Sequence, residues 1–193
     1  MARIKYGLKN VYYAVATIDD DNEATYATPV RIPGAVNLSL EPQGDQEVFN
    51  ADNIDYFVSQ GNNGYEGDLE IALVPESFEK DVLGAIEDNK GVLIENIDAP
   101  VVHFALLFQF EQDTQALKHV FYNCTATRPT VEGETKGESI DPKTDTLKLR
   151  AGSIHNEALG KDVTKARSSE STDSAVYNGW FTAVYQSTAV SNG

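Results

Sequence analysis

The stretch that decides the fold class runs from residue 62 to residue 75 and reads NNGYEGDLEIALVP. It opens on a turn, Asn62-Asn63-Gly64, and then alternates apolar and acidic residues. One face carries Tyr65, Gly67, Leu69, Ile71 and Leu73, and the other carries Glu66, Asp68 and Glu70. Because side chains alternate along an extended chain, this period of two predicts a strand over 65–73 with one buried face.

A helix is predicted directly after this strand, over residues 75–83. Pro75 suits the first turn of a helix, and Gly84 suits its end. Phe78 and Val82 are four residues apart, so they share one face of it.

The rest of the chain has the apolar alternation and polar turns of strands. Strands are predicted over 11–18, 36–40, 101–110, 117–127, 144–150 and 176–185. Residues 101–127 are predicted to form a hairpin, residues 160–174 an exposed loop, and residues 187–193 a flexible end. We therefore expect one domain over 1–193, mainly β: an antiparallel β-sandwich or barrel with one flanking α-helix.

The segment 42–64 departs from this pattern. Its two short apolar pieces, Val48-Phe49 and Ile54–Val58, are separated by polar residues. About 20 residues between two good strands is long for a compact domain, and excursions of that length are usually functional.

The charge balance limits what the protein binds. The 193 residues contain 15 Lys and Arg against 30 Asp and Glu, a formal net charge of −15. Phosphate contacts need clustered cations, so a nucleic-acid-gripping role is excluded. The N-terminus has no apolar run and no stretch approaches a membrane span, so we expect a soluble protein made in the cytoplasm that binds no membrane.

No residue pattern indicates catalysis, a cofactor or a metal. The predicted hairpin puts His103 and His119 on facing strands, where they can pair, but a metal site requires a third ligand. Cys124 is the one cysteine and is predicted to be a small buried side chain. A calcium loop at Asp19–Glu23 and a phosphate loop at Gly160-Lys161 both fail at required positions. We therefore expect no enzyme.

Two groups of residues allow two interpretations each. The acidic face of Glu66, Asp68 and Glu70 is either a solvated strand face or a wall that repels DNA. The Phe and Tyr residues of 48–65 either belong to the core or contact a partner, since aromatic residues are enriched at interfaces.

Two long segments resemble a known family. The first contains ADNIDYFV (51–58), NNGYEGDLEIALVP (62–75) and FEKDVLG (78–84), and the second contains YNCTATRP (122–129), VEG (131–133) and TKGESI (135–140). Together they are similar to the major tail proteins of siphophages that infect Gram-positive bacteria. The resemblance covers about residues 1–152.

This resemblance implies a structural protein of the virion tail, made in the cytoplasm of the bacterial host. Six copies would form a ring, and rings would stack around a tape-measure protein into a conduit through which DNA passes without specific binding. Tail tip or baseplate proteins and a terminator protein would be the other partners. The long loop of the first half, here 42–64, would contact the adjacent ring.

Two sets of functional residues follow from that assignment. The subunit interface is expected to include Phe49, Asn53, Ile54, Tyr56, Phe57 and Tyr65. The lumen-facing acidic residues are expected to be Glu66, Asp68 and Glu70. The alternatives are another virion β-sandwich, such as a decoration or tail terminator protein, and a carbohydrate-binding module that uses the tyrosines of 56–65.

Overall fold

The computed structural model describes residues 6–44, 46–51, 54–111, 116–131, 133 and 143–188, and for Tyr6, 46–51 and 54–60 it describes the backbone alone. The strands of these ranges are β1 (Tyr6–Ile18), β2 (Ala24–Tyr26), β3 (Val30–Ile32), β4 (Ala35–Pro42), β5 (Gln46–Ala51), β6 (Ile54–Gln60), β7 (Tyr65–Ile71), β8 (Ile86–Glu87), β9 (Leu93–Ile94), β10 (His103–Glu111), β11 (Leu117–Ala126), β12 (Asp145–Gly152), β13 (Ile154–Asn156), β14 (Lys161–Val163) and β15 (Lys165–Arg167). The helices are α1 (Glu76–Asp81) and α2 (Ser174–Gly179).

Nine of these strands form one sheet in the order β2-β1-β10-β11-β12-β7-β4, with β3 paired to β1 and β15 paired to β11. Every pairing in it is antiparallel. The hairpin predicted over 101–127 is confirmed, because β10 and β11 are adjacent and Leu107 lies opposite Val120. The mainly β, antiparallel fold class is confirmed as well.

The first hydrophobic core lies between the two ends of this curled sheet. Inward-facing residues of β1, β10 and β11 pack there against those of β7 and β12. Helix α1 adds Phe78, whose ring meets the edges of Tyr13 and Phe104 at centroid distances of 5.0 and 5.5 Å. The alternation that predicted the strands thus supplies this core, since Leu69 and Ile71 are fully buried in it.

Helix α1 confirms the predicted helix, with shorter bounds. It spans Glu76–Asp81, preceded by Pro75 in an extended conformation at the N-cap. Gly84 has a φ of +72°, the left-handed conformation that ends helices.

A second hydrophobic core covers the opposite face of β1, β10 and β11. Ala105, Leu107 and Val120 point into it, and the segment after residue 153 closes it. Trp180 is buried there and stacks on Tyr185 at 5.6 Å. Its indole nitrogen donates to the His119 carbonyl at 3.2 Å. Strand β10 is therefore buried on both faces, as its continuous apolar run predicts.

The strand predicted over 176–185 is wrong, and so is the expectation of one helix. Residues 174–179 form α2, because the Asp173 carboxylate accepts hydrogen bonds from the backbone N–H of Ala175 (2.8 Å) and Val176 (3.4 Å). Such an N-cap satisfies donors that a first helical turn leaves free. The apolar residues of this segment cover a sheet face instead of joining the sheet.

The prediction of an exposed loop over 160–174 is also wrong in part. It contains β14 and β15, and β15 pairs with the first half of β11. Ser168 is buried, where its hydroxyl accepts from the backbone N–H of Lys118 at 2.9 Å.

Two residues that the alternation predicts to be buried in strands are exposed in the structure. Leu73 is exposed because β7 ends at Ile71. Val36 is exposed because the β4–β7 register shifts between Ala35 and Asn37, which is the signature of a β-bulge.

The predicted 42–64 excursion contains a β-hairpin, β5–β6, that continues the β4–β7 ladder. At its base Gln43 donates to the Gly64 carbonyl and Asn63 donates to the Gln43 carbonyl, each at 2.8 Å. Gly64 has a φ of +89°, and a Cβ on it would overlap the carbonyl oxygen of Ala151 on β12. Glycine is required here for both its backbone conformation and this close approach.

Replacing Trp180 with alanine should destabilise the protein by about 3–5 kcal/mol, because it empties the centre of the second core. The free energy of unfolding from urea denaturation measures this. Val176→Ala, at the half-buried margin of the same core, is the control and should cost about 1 kcal/mol. Equal effects of the two would contradict the assignment of Trp180 as the central side chain.

The Gly64→Ala substitution should cost about 2–4 kcal/mol, since strain and overlap add. Gly160→Ala is the matched control: Gly160 also has a positive φ (+59°), but no heavy atom lies within 4 Å of the added Cβ. It should cost about 1 kcal/mol, from backbone strain alone. Thermal denaturation of both variants isolates the effect of the contact with β12.

Candidate assembly surfaces

The β5–β6 hairpin carries most of the residues predicted for the subunit interface. Phe49 lies on β5, and Ile54, Tyr56 and Phe57 lie on β6. In the backbone register Phe49 is opposite Phe57, so these two residues share a face of the hairpin. Asn53 lies outside the described residues.

Tyr65, the sixth predicted interface residue, is the first residue of β7 and is half-buried. Its ring meets the edge of Phe121 at 5.1 Å, and the Lys165 ammonium lies 4.4 Å above it. Both of these contacts are made within the chain, at the base of the hairpin.

The acidic residues of β7 lie in one row on the outer face of the sheet. Glu66 and Asp68 are exposed and Glu70 is half-buried. The register places Arg150, Lys148 and Thr146 of β12 directly opposite them. The Arg150 guanidinium is 3.5 Å from the Glu66 carboxylate, and the Thr144 hydroxyl donates to Glu70 at 2.6 Å.

This face is therefore mixed in charge, which the sequence of β7 alone does not reveal. Glu41 of β4 flanks the acidic row on one side, and the cationic row of β12 flanks it on the other. Each cation sits beside a carboxylate, so the face lacks the unpaired cation cluster that would hold phosphates.

Strand β4 is the long edge of the sheet. Within the described residues it pairs on one side only, with β7, over eight residues. The other edge strands, β2, β3 and β15, have three residues each. An edge of this length is a template for pairing with another chain, which natural proteins usually protect.

The candidate chemical residues do not form a reactive site. His103 and His119 do not face each other, so their expected pairing is wrong: Nδ1 of His103 lies 2.6 Å from Oδ1 of Asn123, while His119 lies opposite Phe108 and stacks on it. The register pairs Phe104 with Cys124 and Phe108 with His119, so the two histidines lie about five residues apart along the hairpin. Among the described residues, no three His, Cys, Asp or Glu side chains are placed to hold a metal ion.

Cys124 is fully buried, as predicted, and burial raises the pKa of its thiol to about 12.

In the part of the chain that the structure describes, no helix is long and apolar enough to cross a bilayer.

At pH 8 the Cys124 thiol should not react with an aromatic disulfide reagent in the folded protein, because thiolate is the nucleophile and the site excludes the reagent. In 6 M guanidinium it should react fully, at the usual thiol pKa. Absorbance of the released thiolate measures both reactions. Rapid labelling of the native protein would contradict the buried position.

Comparison with known proteins supports a family assignment. Residues 1–170 match the model of the family described as phage tail tube protein. A solved cryo-EM structure, the anti-feeding prophage cap that terminates the AFP tube, is similar at 12 % identity and a TM-score of 0.46, over 81 % of this chain and 87 % of that chain. No curated protein matches the sequence. Because the family match covers most of the chain, this protein belongs to the phage tail tube protein family.

Proposed function

We propose that this protein is the repeating subunit of a bacteriophage tail tube, in which copies close into rings, six to a ring as the resemblance implies, and the rings stack into a conduit for DNA. The observation that carries the proposal is the β5–β6 hairpin, attached to the longest open sheet edge, in a chain of the tail tube family. Other tail proteins would meet the tube at its bore and ends: the tape-measure protein, the tip or baseplate and the terminator.

The open edge of β4 supports lateral assembly. Pairing with an edge of a neighbouring subunit would satisfy its unpaired backbone groups. A subunit with different surfaces on its two sides closes into a ring by head-to-tail contacts, so each edge is covered once.

The hairpin supports stacking of one ring on the next. Its residues 45–60 include Val48, Phe49, Ile54, Tyr56, Phe57 and Val58. A segment this rich in large apolar residues is suited to burial against another subunit.

The charges support passage of DNA without binding. We place the outer face with Glu66, Asp68 and Glu70 toward the bore. Its acidic row repels phosphates within a Debye length, about 8 Å at physiological ionic strength. Arg150 stays beside Glu66 and offers no isolated cation to hold the strand.

A shortened variant tests the stacking role. Residues 44–62 are replaced by Asn-Gly, because Gln43 and Asn63 already make the backbone contact that a two-residue hairpin turn closes. We expect a melting temperature close to that of the natural chain and no tubes by electron microscopy in the presence of tape-measure and tip components.

The natural chain assembled under the same conditions is the control. Normal tubes from the shortened variant would refute the stacking role of the hairpin. Single rings that never extend, formed by the natural chain, would instead indicate a terminator. Globular particles without rings or tubes would refute the tube function itself.

A further inference from the structure

A small two-stranded ribbon, residues 86–94, follows α1 and exposes apolar side chains. Its strands β8 and β9 pair with each other and, among the described residues, with no strand of the main sheet. Ile86 lies opposite Ile94, so the two side chains share one face of the ribbon, and they are 53 % and 49 % exposed. Val92 is exposed as well. This ribbon, which we call the β8–β9 arm, therefore presents large apolar side chains to solvent.

The arm has a defined position on its own subunit, although an isolated two-stranded hairpin is only marginally stable in water. On the β8 side, the Lys80 ammonium lies 2.9 Å from the Glu87 carboxylate. After β9, the Arg128 guanidinium lies 3.0 Å from the Glu95 carboxylate and donates to the Asn96 carbonyl. Because the arm is positioned before any partner binds, little conformational entropy is lost on binding.

A second exposed apolar surface lies where β4 begins. Val36 is 54 % exposed, at the β-bulge of β4, and Leu73 is 72 % exposed. Both belong to one corner of the molecule, where the Ala72 backbone N–H donates to the Gly34 carbonyl at 2.8 Å. Among the described residues, the adjoining edge of β4 has unpaired backbone groups. We call residues 34–37 and 72–73 the β4 corner.

We propose that the β8–β9 arm of one copy packs against the β4 corner of the next copy in the same ring; the inference deepens the proposed tube function and rests on it. The arm is held beside the end of β11 through Arg128, and β4 is three strands away from β11 in the sheet order. One copy therefore uses its arm and its corner at the same time. Such a contact is heterologous, so it closes into a ring when the rotation between copies allows.

The charges of the chain favour the β4 corner as the partner of the arm. Residues 86–95 contain three acidic residues and one lysine, and the chain as a whole carries a formal charge of −15. Acidic surfaces of a second copy would therefore repel the arm. Residues 34–40 read GAVNLSL and contain no charged residue. Contact with this segment buries apolar side chains on both sides without bringing like charges together.

Strand β15 is the other edge with a suitable charge. It carries Lys165 and Arg167, which would attract an acidic arm, but none of its three residues is a large hydrophobic one. Ionic strength distinguishes the two partners, since salt screens charge attraction and leaves apolar burial intact. Added salt should therefore promote ring formation if the arm meets the β4 corner, because it also screens repulsion between acidic subunits.

Aspartate substitutions on both sides test the contact. Ile94→Asp and Val36→Asp change exposed side chains outside both cores, so the melting temperature should stay near that of the natural chain. Each should raise the subunit concentration needed for rings by about tenfold or more, measured by electron microscopy. Val30→Asp is the matched control: Val30 is also exposed and the charge change is the same, but it lies on β3, which pairs with β1.

Thiol cross-linking between copies tests the pairing directly. Val36→Cys and Ile94→Cys subunits are mixed under assembly conditions and treated with a short bismaleimide, which is quenched before denaturation; the buried Cys124 stays unreactive. Denaturing gels should show covalent dimers in the mixture and none in either variant alone, because the contact is heterologous. A chain with both cysteines should give a ladder that ends at the ring size. A chain with Val30→Cys and Ile94→Cys is the control and should stay monomeric.

Several results would overturn the inference. Rings from Ile94→Asp and Val36→Asp as abundant as those from Val30→Asp, with no cross-link, would remove the contact and leave the tube function standing. Rings that salt dissociates, with no cross-link, would assign the arm to β15. A lower melting temperature of isolated Ile94→Asp subunits, with no covalent dimer, would assign the apolar face of the arm to its own chain. Absence of rings and tubes from the natural chain would refute the proposed function, and the contact with it.

Discussion

The burial of β10 on both faces is the constraint on which the rest of the structure depends. Phe104, Leu106 and Phe108 face the first core, and Ala105 and Leu107 face the second. A strand of this kind cannot exist in a one-layer sheet, since either exposed face would lose its apolar burial. The curled sheet with α1 covers one face, and the segment after residue 153 covers the other.

This constraint explains why the C-terminal part of the chain lies across the sheet and adds few residues to it. Lys118, between the sheet and this segment, is buried, and its ammonium donates to the Tyr177 carbonyl at 2.6 Å and lies 3.9 Å above the Tyr177 ring. Burial lowers the pKa of this amine, and the contacts compensate in part for its desolvation. Trp180, Phe181 and Tyr185 then supply the apolar cover.

Because both faces of β10 are covered, the surfaces left for partners lie at the edges and ends of the sheet. Among the described residues, the β4 edge has unpaired backbone groups on one side, and the surface beside α1 exposes large hydrophobic residues; a solitary protein avoids both features. Both features are suited to contacts with other subunits.

The sequence by itself determined the local structure: the alternation over 65–71, the apolar run of β10, the hairpin around 101–127 and helix α1 follow from periodicity and turn residues. It also indicated the family, through long ordered matches, and the unreactive position of Cys124. Only the tertiary structure decided where non-local partners meet. The β12 cations face the β7 carboxylates because of a register set across 80 residues of chain. A bulge turns Val36 outward, and the second core makes 174–179 a capped helix. These outcomes depend on packing between distant segments, and strand propensity is too sensitive to that context for local sequence to predict them.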